Sequence, residues 1–239
     1  MRIDKLLANM GYGSRKEAKR LLKQGAILVN GEVVKSPCTH VDPRSDRIFV
    51  FGEEVIYKEF VYFMMNKPKG VLSATEDVTQ PTVIDLLEEE DRHFRPFPVG
   101  RLDKDTTGLL LLTNDGQLAH DLLSPKKGVT KTYYALVEGI VAEDDVKAFQ
   151  NGIVLDDGYV TRPAKLSIVK SGPVHSEVLV EITEGKYHQI KRMFIARGKK
   201  VVELKRIAMG PLHLDEDLRD GEYRELTEDE LASLLTYKS

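Results

Sequence analysis

The sequence predicts an α+β protein of two parts: a small N-terminal helix–hairpin domain over residues 1–57, and a larger domain over residues 60–239 built on a largely antiparallel mixed sheet with flanking helices. Three observations lead there. The 239 residues exceed one minimal domain and suit one small plus one medium domain, with 41% hydrophobic residues to build the cores. A capped helix followed by an Asn-Gly hairpin fills the first 35 residues. Beyond residue 60, strand-like and helix-like stretches mix without the strict βαβ order of a parallel sheet.

In chain order, Asp4–Met10 and Ser14–Gln24 read as helices broken by Gly11 and Gly13. Ser14 and Glu17 form a capping-box pattern that sets the start of the second helix. Its apolar stripe is Ala18, Leu21 and Leu22, which leaves Arg15, Lys16, Lys19, Arg20 and Lys23 toward water. AILVNGEVV is a hairpin, because Asn30 and Gly31 tolerate positive φ. A short strand at Arg47–Phe51 precedes a linker placed at Tyr57–Glu59.

Phe60–Met65 opens the second domain as a buried strand that leaves the sheet at Asn66-Lys67-Pro68-Lys69-Gly70. Thr82–Glu88 suits a short helix, and the acids Glu88–Asp91 suit a solvated surface. Leu109–Leu112 is an apolar run of strand length, and the β-branched Thr106 and Thr107 favour strand over helix. Asp115–Leu123 follows as a helix, then a strand at Lys131–Val137 with Tyr133, Ala135 and Val137 on one side. Tyr134 is the tyrosine expected in the core. A helix at Ala142–Asn151, strands at Val160–Val169 and Val174–Ile182, a helix opening at Glu184, a strand at Lys199–Ile207 and a capped helix at Thr227–Leu235 complete the chain.

Composition excludes several classes. No run approaches 18 apolar residues and no charged-then-apolar leader is present, so a cytosolic protein without a membrane span is expected. The single cysteine, Cys38, rules out an internal disulfide and a Cys-rich metal site, and is expected to be at least half-buried. The six histidines show no paired ligand spacing. The net charge of −3 is unevenly spread: residues 1–35 carry +5, residues 184–206 carry +6 and residues 212–239 carry −6. Two basic segments in an acidic chain suit localised phosphate contacts. The acidic end offers no role beyond solubility.

Gly100–Asn114, GRLDKDTTGLLLLTN, is the stretch richest in chemistry. It places Asp103 on a loop entering a buried strand, where a rigid scaffold can aim a carboxylate at a cleft. By pattern alone, a solvated turn of Arg101, Asp103, Lys104 and Asp105 is the commoner reading, because charged loops are common. The string resembles the catalytic motif of the RsuA-type pseudouridine synthases, in which the position of Asp103 is a nucleophilic aspartate. Residues 1 to about 57 resemble the small RNA-binding domain shared with ribosomal small-subunit protein four, whose basic helix and hairpin face structured RNA. NKPKG resembles the first motif of the family, which lies near the RNA and braces the cleft.

Turning uridine into pseudouridine breaks the N1–C1′ bond, turns the uracil and joins C5 to C1′. Nothing is oxidised, so no cofactor or metal is expected, and the chain carries no phosphate-cradling glycine loop and no flavin or nicotinamide fingerprint. The resemblance implies roles for three residues. Asp103 is the nucleophile. Lys191, in the third motif with His188-Gln189-Ile190, is the basic partner that favours the ionised carboxylate. Tyr133, of the K-x-Y motif, stacks on the extruded uracil, while His188 shapes the pocket.

The target nucleotide must be flipped out of its stack, and the resemblance implies that Arg101 braces the vacated place, with a plain phosphate contact as the alternative. Lys67, Lys69, Lys131, Lys186 and Arg192 are candidate phosphate contacts, alongside Arg15, Lys19, Arg20 and Lys23 of the basic helix. HDLLSPKKGVTKTYYALVEG resembles the branch acting on 16S ribosomal RNA, with 23S relatives and a non-catalytic ribosome-assembly factor as the alternatives. The implied partner is ribosomal RNA, bare or in a partly assembled small subunit, and the enzyme is expected to act as a monomer.

Overall fold

A computed structural model describes residues 1–239 as two compact units. The first holds residues 1–61 together with 88–96, and the second holds 62–87 and 97–239.

In the first unit, helices α1 (Ile3–Asn9) and α2 (Arg15–Lys23) precede a small sheet of β1 (Ile27–Val29), β2 (Glu32–Val33), β3 (Ile48–Val50) and β4 (Glu53–Glu54), in the order β2-β1-β3-β4. The expected capping box starts α2: Ser14 Oγ accepts from Glu17 N, and Glu17 Oε2 accepts from Ser14 N at 2.7 Å. Asn30 and Gly31 turn the hairpin at φ of 52° and 87°. The core joins Ile3, Leu6 and Leu7 to Ala18, Leu22, Ile27, Ile48 and Val50. Segment 88–96 adds helix α3 (Glu89–Arg92), and His93 Nε2–H donates to Ala8 O at 2.7 Å. Cys38 is exposed, contrary to expectation, because it lies in the loop 36–39 outside both helices and strands.

The second unit is a nine-stranded sheet. Its strands are β5 (Tyr62–Lys67), β6 (Phe97–Pro98), β7 (Thr107–Thr113), β8 (Lys131–Glu138), β9 (Lys165–Lys170), β10 (His175–Ile182), β11 (Val201–Met209), β12 (Leu212–His213) and β13 (Tyr223–Glu225). The main order is β13-β5-β7-β11-β8-β10-β9, with β12 on β11 and β6 on β7. Helices α4 (Gly116–Leu123), α5 (Glu143–Asn151), α6 (Gln189–Ala196) and α7 (Glu228–Leu235) flank it. All pairs are antiparallel except β7 with β11.

That parallel junction requires Gly108. At φ of 101°, a Cβ there would lie 2.2 Å from Arg206 O. Leu109 to Leu112 are all fully buried, since both faces of β7 are covered, which explains an unbroken apolar run in place of alternation.

Several expectations need correction. The strand expected from Val160 begins at Lys165, with only a lone bridge from Val160 to Val154, because Pro163 has no N–H for a ladder. The helix expected from Glu184 begins at Gln189, after His188 adopts the left-handed conformation at φ of 49°. Thr82–Glu88 is a 3-10 turn over Val83–Leu86.

The acidic end is structural. Strand β13 closes one edge of the sheet on β5, and Arg224 pairs with Asp215 and Glu230 at 2.6 and 2.8 Å. The side chain of Asp115, 1% exposed, accepts from Lys238 Nζ at 2.7 Å, Tyr62 Oη at 2.8 Å and Leu118 N at 3.1 Å. Burial pushes its pKa up, but these donors outweigh burial and hold it below the ordinary 3.8. A depressed carboxylate stabilises the fold fully above its unfolded value and loses that contribution as pH falls through its folded value. Asp115→Asn is therefore expected to lower stability at pH 7 by about 2 kcal/mol. It should also lose less stability than the wild type between pH 6 and pH 3, as read from urea midpoints. Equal acid sensitivity in the two proteins would contradict this role.

Candidate active site

Asp103 stands on the loop that enters β7, and two buried side chains pin that loop. Ser73 Oγ accepts from Leu102 N and donates to Leu102 O, both at 3.1 Å. Lys67, at the end of β5 and 0% exposed, donates from Nζ to Pro68 O, Asp103 O, Lys104 O and Thr106 O at 3.0–3.3 Å. Burial pushes the Lys67 ammonium down to about 8, against the upward pull of Asp105 and Asp103. It remains charged at neutral pH within a shell of carbonyl dipoles. Lys67 is thus not a phosphate contact, which corrects the sequence expectation: it is the brace of the Asp103 loop.

The loop presents two carboxylates to one amine. Lys191 Nζ lies 3.2 Å from Asp103 Oδ2 and 2.6 Å from Asp105 Oδ1. Lys191 comes from the first turn of α6, whose Ile190, Met193 and Phe194 are buried and fix its position. Its side chain is 18% exposed. Burial pulls the ammonium down, but its hydrogen bonds to Asp105 and Asp103 outweigh this and hold it above the ordinary value. Asp105 is correspondingly held low: burial pushes it up and Lys191 more than offsets that. His188 Nε2 is 3.6 Å from Asp103 Oδ1, beyond hydrogen-bond reach, and its ring stacks on Tyr187 at 3.8 Å.

Asp103 opens into a cleft with Thr106, Tyr133, His188, Arg101 and Lys186 on its walls and Leu102, Ile182, Ile190 and Leu204 as apolar lining. Thr106 Oγ1 on this wall is buried and has no hydrogen-bond partner. Tyr133 is the buried tyrosine of β8, 9% exposed, whereas Tyr134 is half-buried on the opposite face near Glu177 and Glu203. Strand alternation allows only one of them on the core face, so the core expectation for Tyr134 is overturned.

A second cavity shares Arg101, Tyr133, Gly185 and Lys186 with the first and adds Lys131. Arg101 and Lys186 are exposed, with Lys186 Nζ 4.5 Å above the Tyr159 ring. Lys69 is exposed but lines neither cavity. Arg15, Lys19, Arg20 and Lys23 are exposed on α2 of the first unit, where Lys19, Arg20 and Lys23 border a surface groove. Arg192 is another correction. It is bound to Asp156 at 2.7 Å and to Asp157 at 2.8 Å, and its side chain is 17% exposed, so two acids of its own unit neutralise it.

Sequence reasoning missed Asp105 as the nearer partner of Lys191 and Ser73 as a loop pin. Asp105 sits in the same motif as Asp103, but loop spacing does not say which acid meets the amine. Ser73 carried no signal.

Residues 61–196 match the family described as RNA pseudouridylate synthase, and residues 1–48 match the S4 domain. The chain is 55% identical over 231 residues to "Uncharacterized RNA pseudouridine synthase YtzG" of Bacillus subtilis (strain 168), covering 97% of each. It is 39% identical over 236 residues to "Ribosomal small subunit pseudouridine synthase A" of Escherichia coli (strain K12), covering 98% of this chain and 100% of that protein. Among solved structures, "Crystal structure of pseudouridylate synthase" aligns at a TM-score of 0.69 and 39% identity, over 98% of this chain and 99% of that one.

Proposed function

Because this chain belongs to the RNA pseudouridylate synthase family, we propose that it isomerises one uridine of small-subunit (16S) ribosomal RNA to pseudouridine, with Asp103 as the nucleophile. The observation that carries the reading is the cleft in which Asp103, held by Lys191 at 3.2 Å, and Tyr133 line the same space. The choice of the small subunit draws on the names of relatives such as the Escherichia coli protein, and that of its 16S RNA on the resemblance of HDLLSPKKGVTKTYYALVEG.

The site residues divide the work. The RNA delivers a flipped uridine, since a stacked base exposes neither face of its ring. Lys191 neutralises and orients one oxygen of Asp103, and Oδ1 accepts no hydrogen bond from the protein, so it is the oxygen left to react. The N1–C1′ bond breaks, the uracil turns with the Tyr133 ring as its wall, and C5 bonds to C1′. The proton on C5 leaves and N1 gains one, so the atoms of product and substrate balance. Arg101 and Lys186, exposed on the rim, meet the RNA backbone.

Residues 1–57 act as an RNA anchor through α2, and the enzyme works as a monomer on naked RNA or on a partly assembled small subunit. Deleting the first unit would strand segment 88–96, so substitution is the cleaner probe. Replacing Lys19, Arg20 and Lys23 together by Gln is expected to weaken RNA binding and to lower the slope of log affinity against log salt by about 2. An unchanged slope would remove α2 from the interface.

The decisive experiment incubates the protein with 16S transcripts, 23S transcripts and small-subunit assembly particles, and maps carbodiimide-modified pseudouridine by primer extension. One new stop in 16S RNA is expected. A stop only in 23S RNA would transfer the substrate, and no stop in any arm would leave a binding protein.

A further inference from the structure

The second cavity holds a pair of cations to which the reaction at Asp103 assigns no task. We propose that Lys131 and Arg206 form an anion subsite that takes a backbone phosphodiester beside the flipped uridine. The RNA part of this assignment rests on the function proposed above.

The sheet places both side chains there. Arg206 of β11 lies opposite Tyr133 of β8 in the ladder, and Lys131 is two residues before Tyr133, hence on its face. All three line the same cavity. Arg206 is 3% exposed, and its Nε donates to Leu109 O at 2.8 Å. Its Nη2 is buried with no hydrogen-bond partner. A buried guanidinium with an unmet donor is unfavourable until an acceptor arrives, and a phosphate oxygen is the acceptor that suits it best.

Lys131 is half-buried and makes no ion pair, and burial together with the charge of Arg206 pulls its ammonium below the ordinary value. Two like charges side by side in a partly desolvated wall repel each other. An anion between them turns that repulsion into attraction.

The cavity holds no competing anion that is free to answer. Its one acid, Glu184, already accepts from Tyr159 Oη at 2.7 Å, Arg162 N at 2.8 Å and Gln189 Nε2 at 2.9 Å. Tyr133 borders both cavities, so a base held against its ring on the Asp103 side leaves the adjoining backbone toward Lys131 and Arg206.

Two measurements on the full chain test the subsite. In the first, inorganic phosphate is titrated while the Nε–H resonance of Arg206 is followed by NMR. A saturable shift is expected, with affinity about tenfold weaker in Lys131→Gln and largely kept in Lys131→Arg. No shift, or equal affinity in wild type and Lys131→Gln, would overturn the subsite.

The second measures steady-state kinetics on ribosomal RNA. Lys131→Gln should raise KM about tenfold with kcat little changed, and lower the salt slope of KM by about 0.7. Phosphate binding combined with unchanged KM and salt slope would make it a free-phosphate site and overturn the RNA assignment. Wild-type protein that binds phosphate but modifies no ribosomal RNA would remove the proposed function while the anion subsite stands.

Discussion

Asp103→Asn is expected to lower turnover by at least about four orders of magnitude, which is roughly 5.5 kcal/mol of barrier. The amide has the shape of the carboxylate, so the cavity should keep its form. Lys191 retains its 2.6 Å bond to Asp105 and so stays where it is. What disappears is the anionic oxygen that the chemistry needs. RNA affinity should stay near the wild-type value, because no proposed phosphate contact is touched. Release of tritium from RNA carrying 5-tritiated uridine, in single-turnover conditions, reads the reaction directly, since the hydrogen at C5 must leave. Activity within a hundredfold of the wild type would refute the nucleophile assignment.

The second large effect concerns a residue that touches no substrate. Lys67→Met keeps most of the side-chain volume but removes the ammonium that four carbonyl oxygens surround. Lys104 O still accepts from Gly70 N at 2.8 Å and Asp103 O from Thr106 N at 3.0 Å. Pro68 O and Thr106 O lose the donor they have. Losing hydrogen bonds to a buried charged group while leaving acceptors unmet costs about 3 kcal/mol. Urea unfolding should report that loss, and kcat should fall by about a hundredfold as the Asp103 loop loosens, because small misplacements of a reacting group are costly. Lys67→Met with wild-type stability and kcat would show that Ser73 alone holds the loop.

The fold was legible where local chemistry and burial agree. The Ser14 and Thr227 caps, the Asn30-Gly31 hairpin and the leucine run of β7 all matched their sequence signatures, since each depends on contacts within a few residues or on burial on both faces. Strands β4, β6, β12 and β13 were missed because two or three residues carry no period, and their pairing is decided by partners remote in sequence. The acidic end misled for the same reason: charge alone looks solvated until Asp115 and Arg224 find their partners.

In the site, resemblance singled out Asp103, Tyr133 and Lys191; the structure brings Asp103 and Lys191 into contact with each other, and Tyr133 lines the same cleft as Asp103. It could not tell a lysine on the surface from one sunk in carbonyls. Lys67 and Lys69 are neighbours in one motif, and only the exit of β5 from the sheet separates the buried one from the exposed one.

Segment 88–96 has a consequence for synthesis. The first unit is not contiguous, so its final piece, with His93 bonded to Ala8, is translated only after residues 62–87 of the second unit have been made. At elongation speeds of about 5–20 residues per second, roughly 2–7 s separate residue 61 from residue 96. The nascent chain can therefore bury the core of its first unit early, but it adds the last piece of that unit only after 62–87 have been made.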